Sequence, residues 1–228
     1  MLSIAALNMG HATRPKQLPR SVLETLRGVG ADVLIFSEFV DQKFSEETRR
    51  SLGDFGYLNS MVSDVCEYSP GRWHNQILVA SAFELKSRRT YTNGPDALGA
   101  TNTLSFEVLG LDVTGLRIPM YRTSREWNAY WDWIDDCVFG DIVIGDVNCD
   151  PQRGNRRDSR LTRFVELRDA ELVTGDNPPS YVGKNGTFST VDHAVMRRGI
   201  FVHSASYIRD GIVPDYTDHA AMIVRVGS

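Results

Sequence analysis

Short apolar runs recur along this 228-residue chain, broken by a few stretches in which apolar residues return at helical spacing. Residues 2–7 form the first run and read as a strand ending near Asn8. A helix is predicted over 19–29, because Leu18, Val22, Leu26 and Val29 recur at near-helical spacing and Pro19 suits a first turn. Residues 32–36 read as a buried strand that ends at Ser37-Glu38, and Ser45-Glu46-Glu47 as the capped start of a short helix. Strands are then predicted around 58–62, 76–82, 85–91, 103–108 and 111–116. A third helix over 124–138 carries Trp127, Tyr130, Trp131 and Ile134 on one stripe, which reads as core rather than a stacking platform. A strand over 141–144, an arginine-rich loop, a helix starting at Ser159, and strands over 191–196, 200–207 and 220–226 complete the chain. So many strands need a second sheet to bury their inner faces, so two packed sheets with helices outside are expected.

Composition narrows the picture modestly. The length suits one domain spanning 1–228, with no internal repeat, linker or low-complexity segment. No apolar stretch approaches the roughly 18 residues of a membrane span; no signal peptide is read at the N-terminus, and secretion of a processed form stays open. Cys66, Cys137 and Cys149 are odd in number and lack ligand spacing, so a reducing, cytoplasmic setting is the default expectation. A net charge of −4 carries no global nucleic-acid signature. The distribution says more: 21 of the 25 basic residues are arginine, bunched at Arg14, Lys16 and Arg20, at Arg117, Arg122 and Arg125, and from Arg153 through Arg156, Arg157, Arg160, Arg163 and Arg168.

Polar residues suited to chemistry gather where strands end or begin. Asn8 follows the first strand, Glu38 the second, and Asp146 and Asn148 the strand at 141–144, while Asp218 and His219 precede the last. A rigid sheet fixes side chains whose backbone has just left the ladder, which suits ligand sites. Each residue alone has an ordinary explanation as a solvated or turn residue. Together, with Asp192-His193 opening a further strand, they point to a metal-assisted phosphoesterase.

At these residues the chain resembles the endonuclease/exonuclease/phosphatase superfamily, in its exonuclease III and DNase I-like branch. The matching segments are Leu7-Asn8-Met9, Ser37-Glu38, residues 76–81, Arg117-Ile118-Pro119, Gly145-Asp146-Val147-Asn148, Ser189-Thr190-Val191-Asp192-His193 and Thr217-Asp218-His219. The resemblance implies a four-layer α/β sandwich, two packed mixed β-sheets flanked by helices, with the site at one edge. It implies Glu38 as the main ligand of a divalent ion, with Asn8 and Asp218 nearby. It assigns His219 to the scissile phosphate or the attacking water, Asp192 to the second nitrogen of His219, Asp146 to the water, and Asn148 to a phosphate oxygen. Which of Asp146 and His219 takes the proton stays open. An all-oxygen ligand set favours Mg²⁺ or Mn²⁺ over zinc.

One position departs from the family. Where many relatives carry a His, or a Tyr in exonuclease III-like enzymes, before the Pro-containing loop, this chain has Arg117. An arginine stabilises developing negative charge but does not donate its proton at neutral pH. Tyr121 offers a hydroxyl instead, and the choice stays open. Arg117, Tyr121, Arg122, Asn148 and Arg153 are thus the candidate substrate-binding residues.

The arginine clusters fall on the segments after Asn8, Pro119 and Asn148, so a basic rim suited to a polyanion is expected. The leading expectation is a monomeric metal-dependent nuclease, with DNA favoured over RNA and no membrane partner. A phosphomonoesterase acting on a small or lipid-derived phosphate ester is the alternative.

Overall fold

Ile4 and Ala6 enter one apolar layer while Ala5 and Leu7 enter another, so β1 (Leu2–Asn8) is buried on both faces. That alternation places the strand mid-sheet and requires a cover on each side. The structure, a computed structural model, describes residues 1–10, 18–40, 45–64, 75–89, 102–120, 123–138, 140–154, 158–213 and 216–227.

The remaining elements follow in chain order: α1 (Arg20–Gly28), β2 (Val33–Phe39), α2 (Ser45–Asp54), β3 (Asn59–Val62), β4 (Gln76–Ser81), β5 (Lys86–Arg89), β6 (Thr103–Val108) and β7 (Leu111–Arg117). Then come α3 (Ser124–Cys137), β8 (Ile142–Asp146), α4 (Asp158–Leu167), β9 (Ala170–Val173), β10 (Tyr181–Val182), β11 (Phe188–Ser189), β12 (Asp192–Arg197), β13 (Phe201–Ile208) and β14 (Ala221–Gly227). One six-stranded mixed sheet runs β13-β14-β1-β2-β4-β3, and a second runs β5-β6-β7-β8-β12-β9. A separate two-stranded hairpin pairs β10 with β11.

Between the sheets lies a core of Ile4, Ile35, Val79, Phe106, Val113, Ile144, Met196 and Met222. Outside the first sheet, Val22, Leu23 and Leu26 of α1 and Leu52 of α2 pack on Ala5, Leu34 and Ile223. Outside the second, the stripe Trp127, Tyr130, Trp131 and Ile134 of α3 joins Phe164 of α4 over Val143 and Val195. The result is the expected four-layer sandwich, and the aromatic stripe is core. Trp131 meets Trp127 and Phe164 edge-on, at centroid distances of 6.1 and 5.9 Å. A capping box starts α3: the Thr123 hydroxyl accepts from the Glu126 amide while the Glu126 carboxylate takes the Thr123 N–H.

Three elements escaped the sequence reading: β9, the β10–β11 hairpin, and a single 3₁₀ turn at Pro151–Arg153. All are short, and the hairpin strands have two residues each, too few to show a period.

Candidate active site

Gly145 precedes Asp146 because no other residue fits there. Its φ is 146° and a Cβ would run into the Leu116 carbonyl of the neighbouring strand. The strand therefore passes close to β7 and delivers Asp146 at its last position, beside Arg117 in the parallel register of β7 and opposite Asp192 in the antiparallel register of β12. Asp146 is buried, and its carboxylate is held from two sides. Asn8 Nδ2 donates to Oδ2 at 2.9 Å, Asn148 Nδ2 to Oδ2 at 3.1 Å, and the Asn148 backbone N–H to Oδ1 at 3.0 Å. Burial raises its pKa to about 6, with Asp192 adding to the rise while His219, Arg117 and the Asn8 bond oppose it.

Glu38 was expected just beyond its strand; it lies within β2, on a bulge. Between Phe36, paired with Leu78, and Phe39, paired with Gln76, β2 spends one residue more than β4. Glu38 takes up that excess at φ 58°. A bulge re-aims a side chain, and a non-glycine residue at positive φ is strained, a combination that recurs at functional sites. Asn148, in the same cleft, also stands at positive φ, at 50°, a conformation asparagine tolerates better. Its Nδ2 also donates to Ile118 O at 2.6 Å.

His219 stands between Asp218 and β14. Its Nδ1–H donates to Asp192 Oδ2 at 3.0 Å, and both side chains are buried. Burial alone would lower the His219 pKa, but the charge and hydrogen bond of Asp192, helped by Asp146 and Asp218, reverse this and carry it to about 9. The ring packs on Tyr181 at 5.0 Å between centroids.

Residues to which the sequence reading gave no role hold this pair in place. The buried Ser180 hydroxyl accepts from the Val191 and Asp192 amides at 2.9 and 3.1 Å, while Ser180 O accepts from Ala220 N at 2.7 Å. One serine thus anchors both the strand bearing Asp192 and the segment bearing His219. Thr217 Oγ1 donates to Asn8 O at 2.9 Å, and Gly10, at φ 68°, packs so closely on Thr217 that a Cβ would lie 2.7 Å from that oxygen. Asp150 takes the Thr190 amide at 3.0 Å. The Pro178-Pro179-Ser180 turn and the Asp150 that follows Cys149 were the available signals, but neither names a partner. His193 is a structural clasp: Nε2–H faces the Thr190 and Cys149 carbonyls at 2.9 and 3.1 Å, Nδ1 accepts from Thr174 Oγ1 at 3.0 Å, and burial lowers its pKa.

The site opens on one cleft of about 650 Å³. Its walls include Asn8, Glu38, Arg117, Asp146, Asn148, Arg153, Asp218 and His219. Asp192 sits behind His219. Tyr121 and Arg122 lie outside the described residues, as do Arg14, Lys16, Arg156 and Arg157. Arg117, at the end of β7, holds Glu38 Oε1 at 2.6 Å. Arg153 pairs with Asp150 at 3.4 Å and donates to Phe188 O.

Part of the expected basic rim needs correction. Arg160 pairs with Asp132 at 2.8 Å and Arg163 with Asp135 at 3.5 Å, while Arg168 donates to Val138 O at 2.7 Å and Ile134 O at 2.9 Å. These arginines dock α4 on α3 and leave Arg117 and Arg153 as the basic side chains of the cleft among the described residues.

For a metal, two donor sets exist. Glu38, Asp218 and Asn8 line the cleft, and their oxygen-bearing side chains fit the chemistry of a hard divalent cation. Asn8 Oδ1 already accepts from Gly10 N at 2.9 Å, so only its second lone pair is available. Asp146, Asp192 and His219 also have ligand atoms within 4.8 Å of one another, a spacing that can hold an ion.

Two mixed sheets face to face, a helical layer outside each and acids, amides and an Asp–His pair at one edge define the DNase I-like sandwich. The chain belongs to the Endonuclease/Exonuclease/phosphatase family, whose model matches residues 5–219; this is a superfamily of hydrolases acting on phosphate esters. No curated protein matches the sequence. Among solved structures, an AP endonuclease from Archaeoglobus fulgidus is similar at TM-score 0.76 and 14% identity over 100% of both chains. The 3′ phosphatase NExo from Neisseria, bound to a product DNA hairpin, is similar at 0.72 and 11%, again over 100% of both chains. Beta toxin from Staphylococcus aureus is similar at 0.66 and 14% with the same coverage. At such identities the likeness is one of fold.

Proposed function

We propose that this chain is a divalent-metal-dependent phosphodiesterase that cleaves nucleic acid, DNA in preference to RNA, by in-line attack of water. The observation that carries this reading is that Asp146 and His219 stand side by side in one cleft, with ligand atoms within 4.8 Å of one another, one an ionisable carboxylate near pKa 6 and the other an imidazolium near pKa 9. At neutral pH the first is mostly ionised and the second protonated, which divides the roles. Asp146 orients the attacking water and accepts its proton, held in place by Asn8 and Asn148. His219, locked by Asp192, presents positive charge to a phosphoryl oxygen.

Held protonated, with Nδ1–H committed to Asp192, His219 is better suited to this use than to ligating a metal. Glu38 and Asp218, with Asn8 beside them, are therefore the residues assigned to Mg²⁺ or Mn²⁺. When bound, such an ion supplies neutralisation of charge on the phosphoryl and leaving oxygens. Asn148 and Arg153 line the same cleft and suit phosphate contacts. The preference for DNA draws support from fold relatives described as an AP endonuclease and as a phosphatase bound to a DNA hairpin.

A second reading, phosphate monoester hydrolysis, is favoured by the short basic lining of the cleft, where Arg117 and Arg153 are the cationic side chains besides His219 among the described residues. A panel of single- and double-stranded DNA, an abasic duplex, RNA and small phosphomonoesters, assayed with Mg²⁺, Mn²⁺ or EDTA, separates the two. Metal-dependent polynucleotide cleavage is the expected result. Phosphate release from monoesters with polynucleotides untouched overturns it.

A further inference from the structure

Arg117 and Glu38 come from different sheets, β7 and β2, and meet at 2.6 Å with side chains only 12% and 5% exposed. Such a pair stands only where geometry and further hydrogen bonds offset the loss of water. For the guanidinium, Asn102 supplies that support: its Oδ1 accepts from Arg117 Nη1 at 3.3 Å, and its backbone O accepts from Arg117 N at 2.9 Å. The Arg117 Nε–H is buried with no partner among the described residues. Glu38 is also the residue assigned above to the divalent ion; it lines the cleft and stands at a strained φ of 58°, a feature that recurs at functional sites.

A guanidinium at hydrogen-bond distance from that carboxylate and a divalent cation on the same carboxylate repel one another, strongly so in a site this buried. Among the described residues, the cleft lining carries the carboxylates Glu38, Asp146, Asp150 and Asp218 beside the cations Arg117, Arg153 and His219, with Asp192 behind His219, an acidic balance that suits a further cation.

Resting on the metal-dependent reading, we propose that Arg117 is an internal counter-ion of Glu38 that yields its place when the metal binds and turns to a phosphate oxygen of the substrate. The spare Nε–H and the planar fork suit a phosphate, which accepts two parallel N–H bonds. Asn102 keeps the arginine at the cleft wall during the exchange. Metal and phosphate thereby bind cooperatively: the metal displaces the guanidinium, the phosphate gives it a new partner, and each assists the other. Arg117 is then a positioning residue for the metal and a contact residue for the phosphate.

The test is Mn²⁺ binding, followed by electron paramagnetic resonance and calorimetry, for the wild type, R117Q, R117K and E38Q, without and with inorganic phosphate. Circular dichroism melts establish that each variant is folded. R117Q is expected to bind Mn²⁺ more tightly than the wild type by about tenfold or more, since a competing charge is gone. Phosphate tightens Mn²⁺ binding by the wild type and does not do so for R117Q. R117K, which keeps the charge without the fork, stays close to the wild type in Mn²⁺ affinity and loses most of the phosphate effect. Mn²⁺ binding that E38Q abolishes but R117Q leaves unchanged or weakens overturns the exchange and leaves the metal reading intact. Mn²⁺ binding indifferent to E38Q, or absent throughout, overturns the metal reading at this site and the exchange with it.

Discussion

Asn8 Nδ2 donates to Asp146 Oδ2 at 2.9 Å, joining the last residues of two strands that belong to different sheets. The sandwich is thus stapled at the edge where the cleft opens, and the staple is itself part of the site. Its other end is fixed by Gly10 N on Asn8 Oδ1 and Thr217 Oγ1 on Asn8 O, both at 2.9 Å. Asn8→Ala leaves a buried carboxylate short of a donor, and such losses cost about 1–3 kcal/mol. Urea unfolding is expected to show that loss, accompanied by a further rise in the Asp146 pKa.

Gly145→Ala is expected to be among the most damaging single changes in the chain. The added methyl meets the Leu116 carbonyl, a backbone atom with no freedom to move, at a φ that only glycine adopts easily. A loss of about 3 kcal/mol or more is expected in thermal or chemical denaturation.

Trp131→Ala probes the outer layer of the second sheet. The indole is fully buried between Trp127 and Phe164. Removing a buried aromatic costs about 3–5 kcal/mol, read from the urea midpoint at unchanged slope.

The Asp192–His219 pair makes a prediction about protons. In the metal-free protein the His219 ring is expected to titrate near 9 by NMR, and in Asp192→Asn well below that, because the largest opposing influence, burial, is left without its main counterweight. The sign for stability follows from the direction of the shift. A folded-state pKa raised above 6.5 means that the pairing contributes fully below pH 6.5 and is lost as pH rises through about 9. The wild type should therefore lose stability across that alkaline window, and Asp192→Asn should lose less.

Much of this was legible in the sequence, and the reasons differ from element to element. Strand β1 and helices α1 and α3 showed because their apolar periods are long and clean. The acids and amides of the cleft showed because they stand at strand ends, where composition changes abruptly. Ser180 did not show, since a single serine after two prolines reads as a turn and nothing in sequence reveals that it ties Asp192 to Ala220. The bulge at Glu38 was hidden because it is a relation between β2 and β4, visible only in their register. Arg160, Arg163 and Arg168 misled for the same reason: charge is local, but their partners on α3 lie about one helix away in the chain.

The central claim is that His219, charged by Asp192, serves the reaction beside Asp146. The most direct measurement is the metal-dependent hydrolysis rate of His219→Ala against the wild type on the preferred polynucleotide, with Asp192→Asn alongside. A fall of about 10²- to 10⁴-fold for His219→Ala at intact fold is predicted. Hydrolysis by His219→Ala at close to the wild-type rate contradicts the account.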